Sequence, residues 1–194
     1  MINLFLSYRA DDGVHVSARI SKMLAEHFGR DRVFRDHDSL ELGSRYPDEL
    51  RGALARADVV IAIIGLNWLG ARRGANSRCV DDPRDWVRTE LRTAFELRRR
   101  VVPVLLDDVP VPAHDELPPD IAEVSRVTYW RVRHRTLDAD VHALIRLLDP
   151  SAVEDPPSDA GHRAGTQINY GMGGVLYANQ GVQHIHGVPG RGER

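Results

Sequence analysis

The sequence predicts an α/β fold: a doubly wound parallel sheet of five strands with helices on both faces. Two observations carry this. Short β-branched runs alternate with stretches of helical apolar period through residues 1–150. The two longest runs, Val59–Ile64 and Val101–Leu106, are apolar almost throughout. Unbroken apolar runs of that length mark strands buried on both faces, as the central strands of a parallel sheet are.

Asn3–Leu6 is the first strand, stopped by Ser7. Asp11 is placed to cap a helix whose residues Val16, Ile20, Met23 and Leu24 fall on one stripe. Val33–Phe34 is a very short second strand. Pro47 suits a first helical turn, and Tyr46, Leu50, Ala53, Leu54 and Ala57 repeat the helical spacing. After the third strand, Val59–Ile64, Asp82-Pro83 reads as N-cap and first residue of a third helix, with Val87, Leu91, Ala94 and Phe95 inward. Val101–Leu106 is the fourth strand and Val127–Trp130 an edge strand. Val141, Leu144, Ile145 and Leu148 form the last helix. Right-handed crossovers then require a flavodoxin-like sheet, in which ligands bind beyond the carboxyl ends of the strands. The informative loops are therefore those after Leu6, Phe34, Ile64 and Leu106.

Composition narrows the classes. With 194 residues the chain holds one ordinary domain and a tail, and 42% hydrophobic with 28% charged residues is globular. A formal charge of −2 gives no electrostatic case for a nucleic acid or an anionic membrane. Cys79 is the only cysteine, so no internal disulfide is possible and a reducing compartment suits the chain. Ile2–Leu6 has no basic flank, and no apolar run approaches the roughly 20 residues of a membrane helix. The expectation is a cytoplasmic protein without membrane or nucleic-acid partners.

Nucleotide signatures fail one by one. There is no G-x-x-x-x-G-K-[ST], and Ser7-Tyr8-Arg9-Ala10-Asp11 stands where a G-x-G-x-x-G would follow the first strand. A phosphorelay receiver needs an aspartate after the third strand and a late lysine. Here that strand runs into Gly65-Leu66-Asn67, and Lys22 is the only lysine.

What stands at those loops resembles the Toll/interleukin-1 receptor (TIR) domain, specifically its bacterial branch. Phe5-Leu6-Ser7-Tyr8-Arg9-Ala10-Asp11 is similar to the family's first box. Val33-Phe34-Arg35-Asp36-His37-Asp38-Ser39-Leu40-Glu41-Leu42-Gly43 is similar to its second strand and BB loop. Asp82-Pro83-Arg84-Asp85-Trp86-Val87-Arg88-Thr89-Glu90-Leu91 is similar to the segment bearing its catalytic glutamate, and Val102–Leu106 to its fourth strand. The boxes occur in order across most of residues 1–150.

The resemblance implies cleavage of the nicotinamide–ribose bond of NAD⁺, with NAD⁺ as substrate and no cofactor. An oxocarbenium-like centre develops on the ribose, as in glycoside hydrolysis, and nicotinamide departs neutral, so no general acid is needed. One carboxylate beside the ribose suffices as stabiliser or nucleophile, and Glu90 takes that role. Trp86, one helical turn earlier, is placed to stack on the pyridinium ring. Ser7, Tyr8 and Arg9 are candidate substrate contacts, with Arg9 facing the pyrophosphate and Tyr8 the adenosine or ribose. Asp36 is a candidate for a ribose hydroxyl, and Leu40 with Gly43 shapes the BB loop. The alternatives are a non-catalytic TIR adaptor acting through homotypic contacts, or a cyclase making a cyclic ADP-ribose messenger.

Trp68 is expected to pack. The insertion 71–80, with Arg72-Arg73-Gly74, receives no role, and Cys79 has no evident base to activate it. His162, His184 and His186 lack further ligands at ordinary spacing, so no metal site is expected.

Composition shifts after Pro150, where nine of the 16 glycines lie. Residues 151–164 read as a flexible linker, 165–188 as an assembly motif and 189–194 as a disordered end. The motif is nearly uncharged, with β-prone pieces Ile168–Tyr170, Val175–Gln180 and Val182–His186 separated by glycine. Aromatic and β-branched residues interleaved with Asn and Gln are cross-β features. The segment resembles a bacterial amyloid signalling motif. That implies filament formation, self-assembly through TIR and tail, and a sensor protein with a matching motif, in antiviral or cell-death signalling.

Overall fold

The computed structural model describes residues 2–35, 46–70 and 78–150, with two strands at 167–170 and 176–179. The chain divides into two units, Met1–Glu154 and Asp155–Arg194.

In the first unit five parallel strands form one sheet. They are β1 (Leu4–Ser7), β2 (Val33–Arg35), β3 (Val59–Ile64), β4 (Arg100–Leu106) and β5 (Trp130–Val132), in the order β2-β1-β3-β4-β5. This is the flavodoxin-like order, with its switch point between β1 and β3. Leu4 and Leu6 pair with Val33 and Arg35 on one side and with Val59 and Ile61 on the other. All six residues of β3 are buried, as its unbroken β-branched run requires.

Four helices cover the sheet among the described residues: α1 (Val14–Phe28), α2 (Tyr46–Arg56), α3 (Trp86–Glu96) and α4 (Leu137–Leu148). α1 packs with α4 and α2 with α3. Strand alternation assigns the faces. Leu4, Leu6, Ile61, Ile63 and Val104 join Ile20, Leu24, Val141 and Leu144 in one apolar cluster under α1 and α4. Phe5 and Ser7 point the other way, toward α2 and α3.

β1 runs through Ser7 where the sequence reading stopped it at Leu6, and β2 and β4 each gain one residue, Arg35 and Arg100. Three larger boundary differences each have a local reason. The helix expected from Asp11 starts at Val14, because Ala10–Asp12 close a 3₁₀ turn and Gly13, at φ 98°, turns the chain into the helix. The helix expected from Asp82-Pro83 starts at Trp86. Asp82 instead closes a turn, its carboxylate accepting from the Arg84 amide at 2.9 Å and its carbonyl from the Asp85 amide at 2.9 Å. Asp85 is the real cap, accepting from the Arg88 amide at 3.0 Å. The edge strand expected at Val127–Trp130 lies at Trp130–Val132. There Trp130 and Val132, two residues apart, both enter the α1–α4 cluster.

The crossover from β4 to β5 contains only 3₁₀ turns, yet Leu117, Ile121, Ala122 and Val124 on it are buried. In the second unit, β6 (Gln167–Tyr170) and β7 (Leu176–Asn179) pair antiparallel, with Ile168 opposite Ala178 and Asn169 opposite Tyr177. The rest of the tail, including residues 151–164, the Val182–His186 piece and residues 189–194, lies outside the described residues.

Candidate active site

β1 ends at Ser7, next to the switch point, and its last side chain faces α3. Glu90 sits in the second turn of α3 on the helix's buried face, beside Val87 and Leu91. The Ser7 hydroxyl donates to Glu90 Oε2 at 2.5 Å, and the two residues are 0% and 1% exposed. A carboxylate taken so far from water is tolerated only where it gains hydrogen bonds, and Ser7 supplies one. Trp86, at the start of the same helix and one turn before Glu90, is 48% exposed. The helix thus presents a sequestered acid with an accessible aromatic beside it.

Around this pair the loops are bound together by ion pairs and hydrogen bonds. Arg9 forks onto Asp85, Nη1 to Oδ2 at 2.9 Å and Nη2 to Oδ1 at 3.0 Å, while its Nε donates to the Trp68 carbonyl at 2.8 Å. Asp85 is also the cap of α3. Asp12, almost fully buried, accepts from the backbone amides of Gly65 at 3.3 Å and Asn67 at 2.5 Å. The approach is so close that a Cβ on residue 65 would stand 2.7 Å from Asp12 Cγ, so glycine is required there. Arg88, one turn into α3, donates from Nε to Asp120 at 3.0 Å and from Nη1 to the Asp81 carbonyl at 2.8 Å. Arg92 adds a longer contact to Asp120 at 3.8 Å.

The structure brings together Ser7, Glu90 and Trp86 of the expected site residues. Tyr8 turns into the α1–α4 cluster, its hydroxyl accepting from Arg35 Nε at 3.2 Å with that guanidinium 5.0 Å above its ring. Arg9 lies at the same rim with its guanidinium turned to Asp85 and Trp68. Trp68 packs as expected, 1% exposed. Asp36, Leu40 and Gly43 lie outside the described residues, as do Arg72-Arg73-Gly74, His162, His184 and His186. Cys79 is half-buried, its amide donating to the Gly70 carbonyl at 2.7 Å. Asp12, Asp85, Arg88 and Asp120 were not singled out by sequence. Their partners are mostly far along the chain, and the cap made by Asp85 uses the backbone amide of residue 88, which any residue type there would supply.

With this geometry in place, comparison with known proteins defines the class. A TIR domain family model matches residues 4–148. The chain belongs to the TIR domain family. It is 26% identical over 162 residues to the NAD(+) hydrolase SARM1 of Danio rerio, a match covering 81% of this chain and 21% of that protein. It is 29% identical over 148 residues to the NAD(+) hydrolase tir-1 of Caenorhabditis elegans, covering 76% and 14%. The chain thus spans about a fifth or less of the length of these relatives. Among solved structures, the TIR domains of the activated Roq1 resistosome, which directly recognizes the pathogen effector XopQ, superpose with a TM-score of 0.58. They share 15% identity, and the match covers 76% of this chain and 99% of that one. The fold is therefore that of TIR domains. Among the described residues no helix is long and apolar enough to cross a membrane.

Proposed function

We propose that this chain is an NAD⁺ glycohydrolase in which Glu90 is the catalytic carboxylate. The observation that carries the reading is the sequestered Glu90, held by Ser7 at the carboxyl end of β1 with half-exposed Trp86 one turn away. The two named relatives, both NAD(+) hydrolases, support it.

The chemistry follows from the surroundings. As the bond from C1′ to nicotinamide lengthens, positive charge moves onto the ribose and the pyridinium nitrogen becomes neutral. A carboxylate in a water-poor site stabilises that charge more strongly than one in solvent, because less dielectric screening intervenes. Ser7 fixes the carboxylate's orientation through Oε2, so little reorganisation accompanies the charge development. Trp86 offers a ring face that attracts the cationic pyridinium before cleavage and releases neutral nicotinamide after it. Asp36 and Leu40 are proposed to complete the substrate pocket, with NAD⁺ as substrate and no cofactor; Tyr8, turned into the α1–α4 cluster, stands apart from it.

The setting is proposed as bacterial immune or cell-death signalling. Residues 165–188 act as an amyloid-type assembly motif, and a sensor protein carries the matching motif. The pairing of β6 with β7 within an almost uncharged segment supports a β-forming tail. Assembly would raise the local concentration of catalytic domains toward the millimolar range of short tethers.

The test is incubation of the 194-residue chain with NAD⁺, with nicotinamide, ADP-ribose and cyclic product quantified by mass spectrometry. Parent protein is expected to release nicotinamide and ADP-ribose, and Glu90→Gln to lose at least about a hundredfold in rate while remaining folded. Deleting residues 165–194 should remove activity in dilute solution, and fusion to an unrelated oligomer should restore it. Unchanged turnover in Glu90→Gln would refute the catalytic assignment. Intact NAD⁺ under every condition would leave a homotypic adaptor, and a dominant cyclic product would redirect the reading to a cyclase.

A further inference from the structure

Arg9 has the residue type and rim position of a phosphate ligand, yet its geometry points elsewhere. Three of its five N–H donors are engaged within the protein: Nη1 and Nη2 on the Asp85 carboxylate, and Nε on the Trp68 carbonyl. Both side chains of the pair are largely enclosed, at 13% and 10% exposure. Turning the guanidinium toward a ligand would break a two-pronged charge-assisted pair and leave Asp85 short of its countercharge in a poorly solvated place.

Asp85 is no ordinary partner. Its Oδ1 also accepts the Arg88 amide and so caps α3, and the next residue along is Trp86. Arg9 follows Tyr8, two positions after Ser7. The ion pair therefore bridges the end of the strand that supplies the Ser7 hydroxyl and the beginning of the helix that supplies Glu90. Its Nε contact extends the bridge to the loop after β3, which Asp12 anchors through Gly65 and Asn67.

We propose that Arg9 and Asp85 form a positioning strut that holds the first turns of α3 against the end of β1, setting the Ser7–Glu90 contact and the place of Trp86. Arg9 acts through Asp85 and does not bind the pyrophosphate of substrate. The functional part of this inference rests on Glu90 being the catalytic carboxylate; the mechanical part does not. A displacement of about 1 Å at a reacting group costs up to about a hundredfold in rate, so a strut of this kind acts on kcat.

The experiment uses the full chain with Arg9→Gln, Asp85→Ser and the double variant. Serine keeps the helix cap while removing the ion pair. Each single variant is expected to lower kcat for NAD⁺ about tenfold or more with KM within about twofold. The double variant should be no worse than the poorer single, since both break one contact. Amide hydrogen exchange across residues 86–90 should accelerate in all three, with β3 and β4 still protected. Arg9→Lys keeps the charge without the fork and should fall between parent and Arg9→Gln, which keeps the test readable if Arg9→Gln folds poorly.

A raised KM with parental kcat in Arg9→Gln, alongside parental kinetics in Asp85→Ser, would make Arg9 a phosphate ligand and overturn the strut. Unchanged exchange at 86–90 in both singles, or additive losses in the double variant, would overturn it equally. If the parent protein cleaves no NAD⁺, the enzymatic reading falls separately, and the exchange measurement alone decides the strut.

Discussion

The two faces of the sheet are built to different rules. Under α1 and α4 the interior is an apolar cluster of Leu, Ile, Val and Met with Tyr8 and Trp130 at its margins, to which α1 adds one small buried polar residue, Ser17. Under α2 and α3 the packing starts the same way, with Phe5, Leu54 and Leu91, and then admits Ser7, Glu90 and Thr93 to the buried set. Each apolar side chain buried on the first face stabilises by about 1.5–3 kcal/mol. A buried carboxylate on the second gives no such return and costs free energy unless it is held by donors. The first face therefore makes the fold, and the second gives up stability where Ser7 and Glu90 are buried.

Mutations on each face should separate these roles. Ile61→Ala, at a fully buried position of the α1–α4 cluster, is expected to lower the unfolding free energy by about 2–5 kcal/mol in urea titrations, with NAD⁺ turnover per folded molecule kept. Ser7→Ala should cost less stability, about 1–3 kcal/mol, because one donor to a buried acceptor is lost. Its larger effect should be on kcat, since Glu90 loses a group that orients it. Equal loss of activity at both positions would erase the distinction between the faces.

The smallest effect is expected outside both. Asp138 is held below the usual carboxylate range, first by the hydrogen bond from Arg19 and then by that residue's charge. A depressed folded pKa contributes stability above the unfolded carboxylate pKa of about 3.9, and the contribution disappears as pH falls through the folded value. The pair is solvent-exposed, at 45% and 57% of its side-chain surface, so Asp138→Asn should leave the melting temperature at pH 7 nearly unchanged. A shift of several degrees at pH 7 would show that this pair does more than a surface contact.

What was legible in sequence was whatever repeats locally. The β-branched run of β3 and the stripes of α1 and α4 declare themselves, because burial is written at a period of two or about four residues. The Ser7, Trp86 and Glu90 positions were found through the family's ordered boxes, not through period. The start of α3 was misplaced because Asp82-Pro83 and Asp85-Trp86 are both credible cap sequences three residues apart, and only the second has Arg9 to hold its carboxylate. Asp12 gave no signal at all. It is one of two adjacent aspartates, and the amides it satisfies lie 53 and 55 residues downstream. The edge strand slipped because Val127–Trp130 has strand composition, whereas the register belongs to Trp130 and Val132 through their neighbours in β4.

The connection between β4 and β5 looks like a spacer, since it carries no α-helix. Yet Asp120 within it receives Arg88 and Arg92, two residues of the helix that bears Glu90, and Ile121 beside it is completely enclosed. Anyone trimming this protein to a minimal scaffold, or grafting the Ser7–Glu90 arrangement onto another parallel sheet, would have to carry residues 117–124 along as a buttress. Insertions there are best directed to the stretch before Pro118, where His114, Asp115 and Glu116 already face water.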